Sequence, residues 1–196
     1  MPEDILLKKL ASVAASESLS GLEEVSGVPG TLGGGIFMNA GAYGGELKDT
    51  VTKVTYVDCD GELHTIDASE CEFGYRKSVF SSGGKFIVSA ELELKKGDRD
   101  EIAGKMAEYT KRRREKQPIS YPSAGSTFKR PEGYFAGKLI EDAGLKGCAV
   151  GGASVSVKHS GFVVNDGGAT CEDVCRLIKK VQDTVKEQFG VDLETE

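Results

Sequence analysis

The sequence lacks the features that mark membrane, secreted and metal-binding proteins. No run approaches the roughly 18 apolar residues of a transmembrane helix, and the start MPEDILLKKL has no basic region followed by the apolar stretch of a signal peptide. The five cysteines are odd in number and scattered, which favours a reducing cytoplasm over a disulfide framework. Only two histidines are present, without an acidic cluster at ligand spacing, so we expect no metal site.

An excess of positive charge is also missing. The formal net charge is −6, so we expect no general attraction to nucleic acid or to an anionic membrane surface. Apolar residues make up 39% of the chain and charged residues 29%, which is typical of a soluble globular protein. The 196 residues are enough for one large domain or two small ones.

Helix and strand patterns are mixed along the chain, which predicts the α+β class. We expect a first helix from residue 4 to about 19, with Asp4 as its cap. Its predicted apolar face consists of Ile5, Leu6, Leu10, Val13 and Ala14. β-Branched residues on both sides of Asp60-Gly61 predict a hairpin. A strand is expected over residues 84–96 and a helix over 98–116.

The segment QPISYPSAG, with two prolines and several small polar residues, predicts a linker. We therefore place a domain boundary near residue 118, which divides the chain into residues 1–118 and 119–196. Both parts contain helix and strand patterns, so each is expected to be α+β.

Further elements are expected beyond the linker. They are a helix closed by Gly144, two or three short strands over residues 149–165, and a last helix capped by Thr170 with Asp173 three residues on. The predicted buried stripe of the last helix is Val174, Leu177, Ile178, Val181, Val185 and Phe189. The final residues VDLETE look like the opening of a strand.

One stretch is unusually rich in glycine: SGVPGTLGGGIFMNAGAYGG, from Ser26 to Gly45, has eight glycines in twenty residues. Glycine lets backbone N–H groups approach an anion without obstruction by a Cβ atom. The stretch fits neither the G-x-G-x-x-G fingerprint nor the P-loop. On this pattern alone, a ligand-binding loop and a structural turn remain equally open.

Two other motifs carry basic groups. In FGYRKSVF, Arg76 stands among aromatic and apolar residues, and it is either a buried ion-pair partner or an anion clamp. In PSAGSTFKRP, Ser126 precedes Lys129 and Arg130, and it is either a turn residue or a proton donor or phosphate ligand. G-x-S-x-G is absent, so Ser126 is not a nucleophile of that type.

The remaining polar groups have ordinary interpretations. The run KRRREK, which includes Lys116, is typical of a solvated helix end. His64 is expected at the surface of the hairpin, whereas the role of His159 in VKHSG stays open. Cys171 and Cys175, four residues apart on a predicted helix, are expected to be packing residues.

Taken in order, the motifs resemble those of the UDP-N-acetylenolpyruvoylglucosamine reductase (MurB) family, in its form with the shorter substrate domain. The matching segments are SGVPGTLGG–MNAGAYG, FGYRKSVF, PSAGSTFKRP–GYFAGKLIEDAGLKG, VKHSGFVVN and FGVDLETE. The resemblance implies the second half of a two-part FAD-binding domain of the vanillyl-alcohol-oxidase type (PCMH-like), followed by a small α+β substrate-binding domain. It also implies FAD as cofactor and NADPH as hydride donor for the reduction of UDP-N-acetylglucosamine enolpyruvate to UDP-N-acetylmuramate. This is a cytoplasmic step of peptidoglycan synthesis, carried out by a monomer.

The resemblance also implies site residues. The catalytic ones are Arg76, which would stabilise an enolate, Glu196, which would assist it, and Ser126, which would donate a proton with the help of Lys129 or a water. The implied flavin contacts are Ser26, Gly27, Val28, Pro29, Gly30, Thr31, Gly33, Gly34, Asn39, Gly41, Ala42 and Tyr43. The implied substrate contacts are Tyr43, Tyr75, Lys116, Arg130 and His159.

The family pattern extends beyond this sequence at both ends. It includes an earlier FAD-binding subdomain and a further C-terminal strand, so the resemblance implies a fragment. We accordingly expect weak or no FAD binding by this chain alone and a frayed Glu196. Two alternatives from other classes are a non-catalytic UDP-sugar-binding module and a general FAD-dependent oxidoreductase of small alcohols. Flavin content separates the first from the reductase, and PSAGSTFKRP with VKHSG argues against the second.

Overall fold

The computed structural model describes residues 5–196, which form two compact units that divide between Lys111 and Arg112. The predicted boundary near residue 118 stays a prediction of the sequence pattern. Both units combine helices with antiparallel strands, so the α+β class is confirmed.

The first unit is built on a three-stranded antiparallel sheet. Its strands are β4 to β6 in the order β5-β4-β6, and two small two-stranded pairs, β1-β7 and β2-β3, lie outside it. The elements are α1 (Leu7–Ser16), β1 (Leu19–Ser20), α2 (Leu32–Phe37), β2 (Gly41–Ala42), β3 (Gly45–Glu46), β4 (Val51–Asp58), β5 (Leu63–Asp67), β6 (Lys85–Leu92), β7 (Lys95–Lys96) and α3 (Arg99–Lys116). Short 3-10 helices cover Leu47–Asp49, Ala68–Cys71 and Val79–Ser82.

The predicted hairpin, strand and second helix of this unit are confirmed. In the hairpin, Gly61 takes a left-handed φ of 85°, and the Asp58 carboxylate accepts hydrogen bonds of 3.0 Å from the N–H groups of Asp60 and Glu62. These bonds close the β4–β5 turn, so local sequence chemistry is enough to place it. The expected strand 84–96 is interrupted after β6, and its last two residues pair with β1 instead.

The predicted apolar face of α1 is correct for Ala14, which is buried, and for Leu10, which packs against the core, and wrong for its other three members. Helix α1 begins at Leu7, and the side chains that enter the core are those of Leu7, Ala11 and Ala14 at i, i+4 and i+7. Ile5, Leu6 and Val13 are about half exposed. The sequence pattern placed the helix start too early and so chose a face that is only partly buried, and the predicted cap Asp4 lies outside the described residues.

The second unit is a four-stranded sheet in the order β8-β11-β10-β9, with two helices packed on its core. Its elements are β8 (Ser123–Ser126), α4 (Ala136–Asp142), β9 (Ala149–Val150), β10 (Ala153–Val155), β11 (Phe162–Asn165) and α5 (Cys171–Phe189). The expected end of α4 before Gly144, the short strands and the last helix are confirmed. Thr170 and Asp173 form the expected capping box, with bonds of 3.0 and 3.1 Å.

Two expectations for α5 are wrong. Leu177, Val181 and Val185 are fully buried, but Phe189 is 38% exposed, because it is the last helical residue and the chain turns away at Gly190. Cys171 and Cys175 are exposed rather than packed, because they occupy a different face of α5 from the buried residues.

The C-terminal residues pair with the segment that follows β8 and do not form a strand of the sheet, so the strand-like pattern of VDLETE corresponds to a single antiparallel bridge. Thr195 pairs antiparallel with Phe128, and the Lys129 N–H donates to Glu194 O at 2.8 Å. The Glu196 N–H donates to Thr127 O at 2.9 Å. The backbone of Glu196 is therefore held in place, and the expectation of a frayed residue is wrong.

Candidate active site

The glycine-rich stretch and the arginine motif form one structure. The carbonyl oxygen of Phe37, at the end of α2, accepts hydrogen bonds from Ser78 Oγ at 2.6 Å and from Ser81 Oγ at 3.0 Å. Asn39 Nδ2 donates to Gly74 O at 3.0 Å. Since these bonds join segments that are far apart in the sequence, the two motifs are folded against each other in the first unit.

Arg76 closes this connection. It lies in the turn Gly74–Lys77, where the Gly74 N–H donates to Lys77 O at 3.0 Å. Its Nη2 atom donates to Gly41 O at 2.8 Å, and its guanidinium carbon is 5.0 Å from the centre of the Tyr75 ring. Its φ is 53°, a left-handed conformation that costs free energy in a residue other than glycine. The surrounding contacts therefore hold Arg76 in a conformation that the isolated turn would not favour.

Three glycines of the stretch are required by packing inside the protein. A Cβ atom at Gly35 would lie 2.6 Å from Leu47 Cδ1, and one at Gly41 would lie 2.6 Å from Gly45 O. At Gly45 the nearest atom, Glu24 Cγ, would be 2.8 Å away. At these positions packing inside the protein is enough to account for glycine, and the expected flavin contact of Gly41 stays a prediction.

Other glycines are not required by packing, although the φ of Gly44, 97°, is a left-handed conformation that itself favours glycine. A Cβ atom at Gly33 would come no closer than 4.0 Å to Ile87 Cβ, and one at Gly34 would make an ordinary 3.4 Å contact with Thr31 Oγ1. At Gly30 and Gly44 it would meet nothing within 4 Å. Gly33 and Gly34 lie inside α2, where glycine costs about 1 kcal/mol relative to alanine. The open space beside these residues is therefore where a ligand could approach the backbone.

Tyr43 lies at the far end of the stretch with a left-handed φ of 54°. Its ring stacks on that of Tyr109 with a centre-to-centre distance of 4.5 Å and an angle of 6°, and its hydroxyl donates to Tyr109 O at 3.3 Å. The Tyr109 hydroxyl in turn donates to Glu24 Oε1 at 3.4 Å. These contacts hold Tyr43, which is 39% exposed, at the surface of the first unit.

A cavity of about 460 Å³ adjoins Tyr43. Its charged lining residues are Glu24, Glu46, Asp49, Glu93 and Lys95. Four carboxylates and one ammonium group would repel an anion. This cavity is therefore poorly suited to a diphosphate.

Ser126 and Glu196 are brought together in the second unit. Ser126 is the last residue of β8 and pairs with Phe162 of β11. The next residue, Thr127, donates its N–H to Gly161 O at 2.8 Å and accepts the Glu196 N–H at 2.9 Å. The two predicted catalytic residues of this unit therefore both adjoin Thr127: Ser126 precedes it in the chain, and Glu196 is hydrogen-bonded to its carbonyl oxygen. Arg76 belongs to the first unit, so its relation to them stays a prediction.

Lys129 pairs with a different carboxylate. Its ammonium group lies 3.2 Å from Glu194 Oε2. Nearby, Arg130 places its guanidinium carbon 3.9 Å from the centre of the Phe135 ring and donates from Nε to Tyr134 O at 3.3 Å. These contacts fix the direction of Arg130, which is exposed.

His159 is half-buried and its protonation state follows from its surroundings. Burial, followed by the nearby charge of Lys146, lowers the pKa of its imidazole below the usual 6.5. Its Nδ1 accepts the Gly161 N–H at 3.2 Å. A neutral ring that accepts at Nδ1 carries its proton on Nε2. His159 is therefore a neutral hydrogen-bond donor near pH 7.

Lys158, which the sequence did not single out, links the His159 loop to the end of α3. Its Nζ donates to Arg114 O at 2.6 Å, and Lys116, exposed, is the last residue of the same helix. The structure therefore places Lys116 and the His159 loop in one region of the second unit. Its position directly before His159, an expected substrate contact, is the sequence feature that could have indicated Lys158.

Within residues 5–196, no group of three or more histidine, cysteine or acidic side chains is arranged to hold a metal ion. In the same part of the chain, no helix is both long enough and apolar enough to cross a membrane.

Comparisons with known proteins match both units. Residues 5–67 match the FAD-binding domain model, and residues 117–196 match the C-terminal domain of UDP-N-acetylenolpyruvoylglucosamine reductase. The reductase of Agathobacter rectalis is 56% identical over 191 residues, covering 97% of this chain and 61% of the relative. That of Caldanaerobacter subterraneus subsp. tengcongensis is 54% identical over 187 residues, covering 95% and 62%.

A solved structure supports the same assignment. The crystal structure of UDP-N-acetylenolpyruvylglucosamine reductase from Thermus caldophilus matches with a TM-score of 0.86 at 39% identity, covering 97% of this chain and 69% of that one. The chain spans about three fifths of the length of the curated relatives. On this identity, coverage and fold, the chain belongs to the UDP-N-acetylenolpyruvoylglucosamine reductase family.

Proposed function

We propose that this chain provides the second part of the flavin site and the substrate-binding domain of a reductase. The reaction is the conversion of UDP-N-acetylglucosamine enolpyruvate to UDP-N-acetylmuramate with NADPH, in peptidoglycan synthesis. The observation that carries the proposal is the hydrogen-bonded junction between the glycine-rich stretch and the Arg76 turn. It supports a site in which a cofactor-binding backbone and a cationic group are held together.

The residues of the stretch fit FAD. The backbone beside Gly30, Gly33 and Gly34 is open, and glycine allows a flat ring or a diphosphate to approach closely. When bound, FAD supplies the hydride carrier between NADPH and the substrate. Of the predicted contacts, Ser26 and Asn39 are buried in this chain, so their part in flavin binding is indirect.

Arg76 meets the main electrostatic demand of the reaction. Hydride addition to an enol ether next to a carboxylate leaves negative charge that is delocalised into that carboxylate. A fixed guanidinium stabilises such charge more than a mobile one, because it needs no reorganisation during the reaction. The bond to Gly41 O and the Tyr75 ring hold Arg76 in this way.

Ser126 and Glu196 complete the proposed reaction from the second unit. Ser126 donates a proton to the carbon that carries the charge, and Glu196 assists the stabilisation by Arg76. The backbones of both residues adjoin Thr127, Ser126 along the chain and Glu196 through its N–H bond to Thr127 O. The ammonium of Lys129 is paired with Glu194, which favours water as the group that assists Ser126.

The nucleotide part of the substrate requires donors and cations. Lys116 and Arg130 supply positive charge, neutral His159 donates from Nε2, and the Tyr43 and Tyr75 hydroxyls supply further bonds. The acidic cavity beside Tyr43 supports placing the diphosphate with the basic residues instead. We further propose that the protein acts as a monomer in the cytoplasm.

The test measures flavin binding and both half-reactions. FAD is titrated into this chain and into a version extended at its N-terminus by the preceding part of the Agathobacter rectalis relative, and NADPH oxidation by the extended protein is followed with and without UDP-N-acetylglucosamine enolpyruvate. The Thermus caldophilus relative serves as the positive control. Flavin absorbance that is reduced by NADPH and reoxidised by substrate supports the proposal. Substrate binding without flavin binding supports the UDP-sugar-binding module in its place.

Ser126→Ala tests whether Ser126 acts as the proton donor in substrate reduction. In the flavin-loaded protein it should abolish substrate reduction and leave flavin reduction by NADPH unchanged. If both half-reactions fall together, the proton-donor role of Ser126 is wrong. Ser123→Ala, on the same strand, is the matched control and should leave both half-reactions unchanged.

A further inference from the structure

Asn39 is a junction between three segments of the first unit. Its side chain is completely buried. Its Nδ2 atom donates to Glu46 Oε2 and to Gly74 O, both at 3.0 Å. Its Oδ1 atom accepts the Lys48 N–H, also at 3.0 Å. The amide therefore connects the glycine-rich stretch to the region after β3 and to the turn that carries Arg76.

The hydrogen-bonding capacity of this amide is used inside the protein. An asparagine side chain has two N–H donors and one carbonyl acceptor. Both donors and the acceptor are engaged, and no part of the residue is exposed. A direct contact between this side chain and a bound flavin is therefore incompatible with the structure, and its role has to be exerted through its partners.

The partner that matters most is Gly74. The side-chain amide of Asn39 donates to the carbonyl oxygen of Gly74. Arg76, two residues after Gly74, donates a hydrogen bond of 2.8 Å to the carbonyl oxygen of Gly41, which is two residues after Asn39. The segments 39–41 and 74–76 are thus joined at both ends. A closed arrangement of this kind fixes the direction of the guanidinium more strongly than either bond alone, because rotation of the turn would break both.

We propose that Asn39 is a positioning residue that sets the direction of Arg76 in the site of the proposed reductase, on whose function this role depends. It acts by anchoring Gly74 O. The alternative explanation is local: position 39 has a left-handed φ of 47°, and asparagine adopts this conformation more readily than most residues. Glycine tolerates that conformation at least as well but has no amide, so Asn39→Gly separates the two explanations.

The first measurement needs no catalysis. In NMR spectra recorded at low temperature, the Nη–H signal of Arg76, identified by its loss in Arg76→Lys, should lie away from the position of a solvated arginine, because Nη2 donates to Gly41 O. In Asn39→Gly it should move to that position. Thr50→Ala is the matched control, because it removes another buried hydrogen bond, from Thr50 Oγ1 to Leu47 O at 3.2 Å, without touching the turn. An Arg76 signal that is unchanged in Asn39→Gly would overturn the proposal.

The second measurement uses the FAD-loaded protein. Asn39→Gly should slow substrate reduction by about 100-fold, the effect of a small misplacement of a catalytic group, while flavin reduction by NADPH stays unchanged. Thr50→Ala should leave both steps unchanged. Equal losses in the two half-reactions of Asn39→Gly would show a general structural role and contradict positioning. If the parent protein, extended at its N-terminus as above, has no reductase activity, the proposed function fails, and the NMR result still decides whether Asn39 orients Arg76.

A third measurement covers the case in which Asn39→Gly does not fold. In the unmodified protein, the Asn39 side-chain N–H groups should exchange with solvent much more slowly than those of Gln188, which is exposed. Equal exchange rates would show that the anchoring bonds are not maintained and would also overturn the proposal.

Discussion

The guanidinium of Arg76 donates a hydrogen bond of 2.8 Å to the backbone oxygen of Gly41. This bond joins a residue with a left-handed backbone to a glycine that is required by packing, since a Cβ atom there would lie 2.6 Å from Gly45 O. The cation of the proposed site is thus fixed by the same backbone that we expect to line the flavin. Backbone strain at Arg76 is consistent with a functional requirement, because strained residues persist where the surrounding structure holds them.

Two replacements of Arg76 distinguish the cost of its left-handed backbone from the role of its guanidinium group. Arg76→Ala and Arg76→Gly both remove the guanidinium and should both abolish substrate reduction. Their stabilities should differ, because the left-handed φ of 53° costs alanine roughly 1 kcal/mol that glycine avoids. Urea denaturation should therefore show Arg76→Gly to be the more stable of the two. Equal midpoints would mean that the turn relaxes to another conformation in solution.

The glycines of α2 should respond in opposite ways to alanine. Gly34→Ala should raise the free energy of unfolding by about 0.5–1 kcal/mol, because helix propensity improves and nothing obstructs the added methyl. Gly35→Ala should lower it by about 1–3 kcal/mol, because the methyl would overlap Leu47. Thermal unfolding of the two variants checks the signs. Tighter flavin binding by Gly34→Ala would contradict the proposed approach of the ligand there.

His159 should make the protein less stable in mild acid. Its pKa in the folded state is lowered from 6.5, mainly by burial. The unfolded state therefore binds a proton first as the pH falls, and the stability present above pH 6.5 is lost as the pH drops through and below that value. Denaturation midpoints between pH 7.5 and 5 (roughly the range in which a histidine titrates) should fall less steeply for His159→Gln. Parallel pH profiles of the two proteins would count against a neutral His159.

The cysteines should differ in reactivity. Burial raises the pKa of the Cys71 thiol to about 11, so at pH 8 this residue should resist alkylation in the folded protein. Cys59, Cys171 and Cys175 are exposed and should react without unfolding. Mass spectrometry after a short iodoacetamide treatment, with and without urea, identifies the modified peptides. Labelling of Cys71 in the folded protein would show local opening of the first unit.

The capping box of α5 should contribute measurably to stability. Thr170→Ala removes the side-chain oxygen that accepts the Asp173 N–H and should cost about 1 kcal/mol. Thr184→Ala, in the middle of the same helix, is the control and should be neutral or slightly stabilising, because alanine has the higher helix propensity. Urea midpoints of both variants provide the comparison. A neutral Thr170→Ala would mean that the first turn of α5 contributes little to folding.

Local signals were enough for several elements. The Asp60-Gly61 pair placed the hairpin, Thr170 with Asp173 placed the start of α5, and Gly144 followed the end of α4. These features depend on residues within four positions of each other, so the sequence contains the whole interaction. The face of α1 was predicted correctly only in part, because a start displaced by a few residues rotates the buried stripe around the helix.

By itself, the sequence determined the α+β class, most helix ends and the order of motifs that indicated the family. Only the tertiary structure decided which glycines serve packing and which face open space, and that the Asn39 amide holds the turn of Arg76. The physical reason is distance along the chain: the bond from Asn39 to Gly74 joins residues 35 positions apart. Neither local propensity nor periodicity contains information about such a pair, which exists only after the two segments have packed against each other.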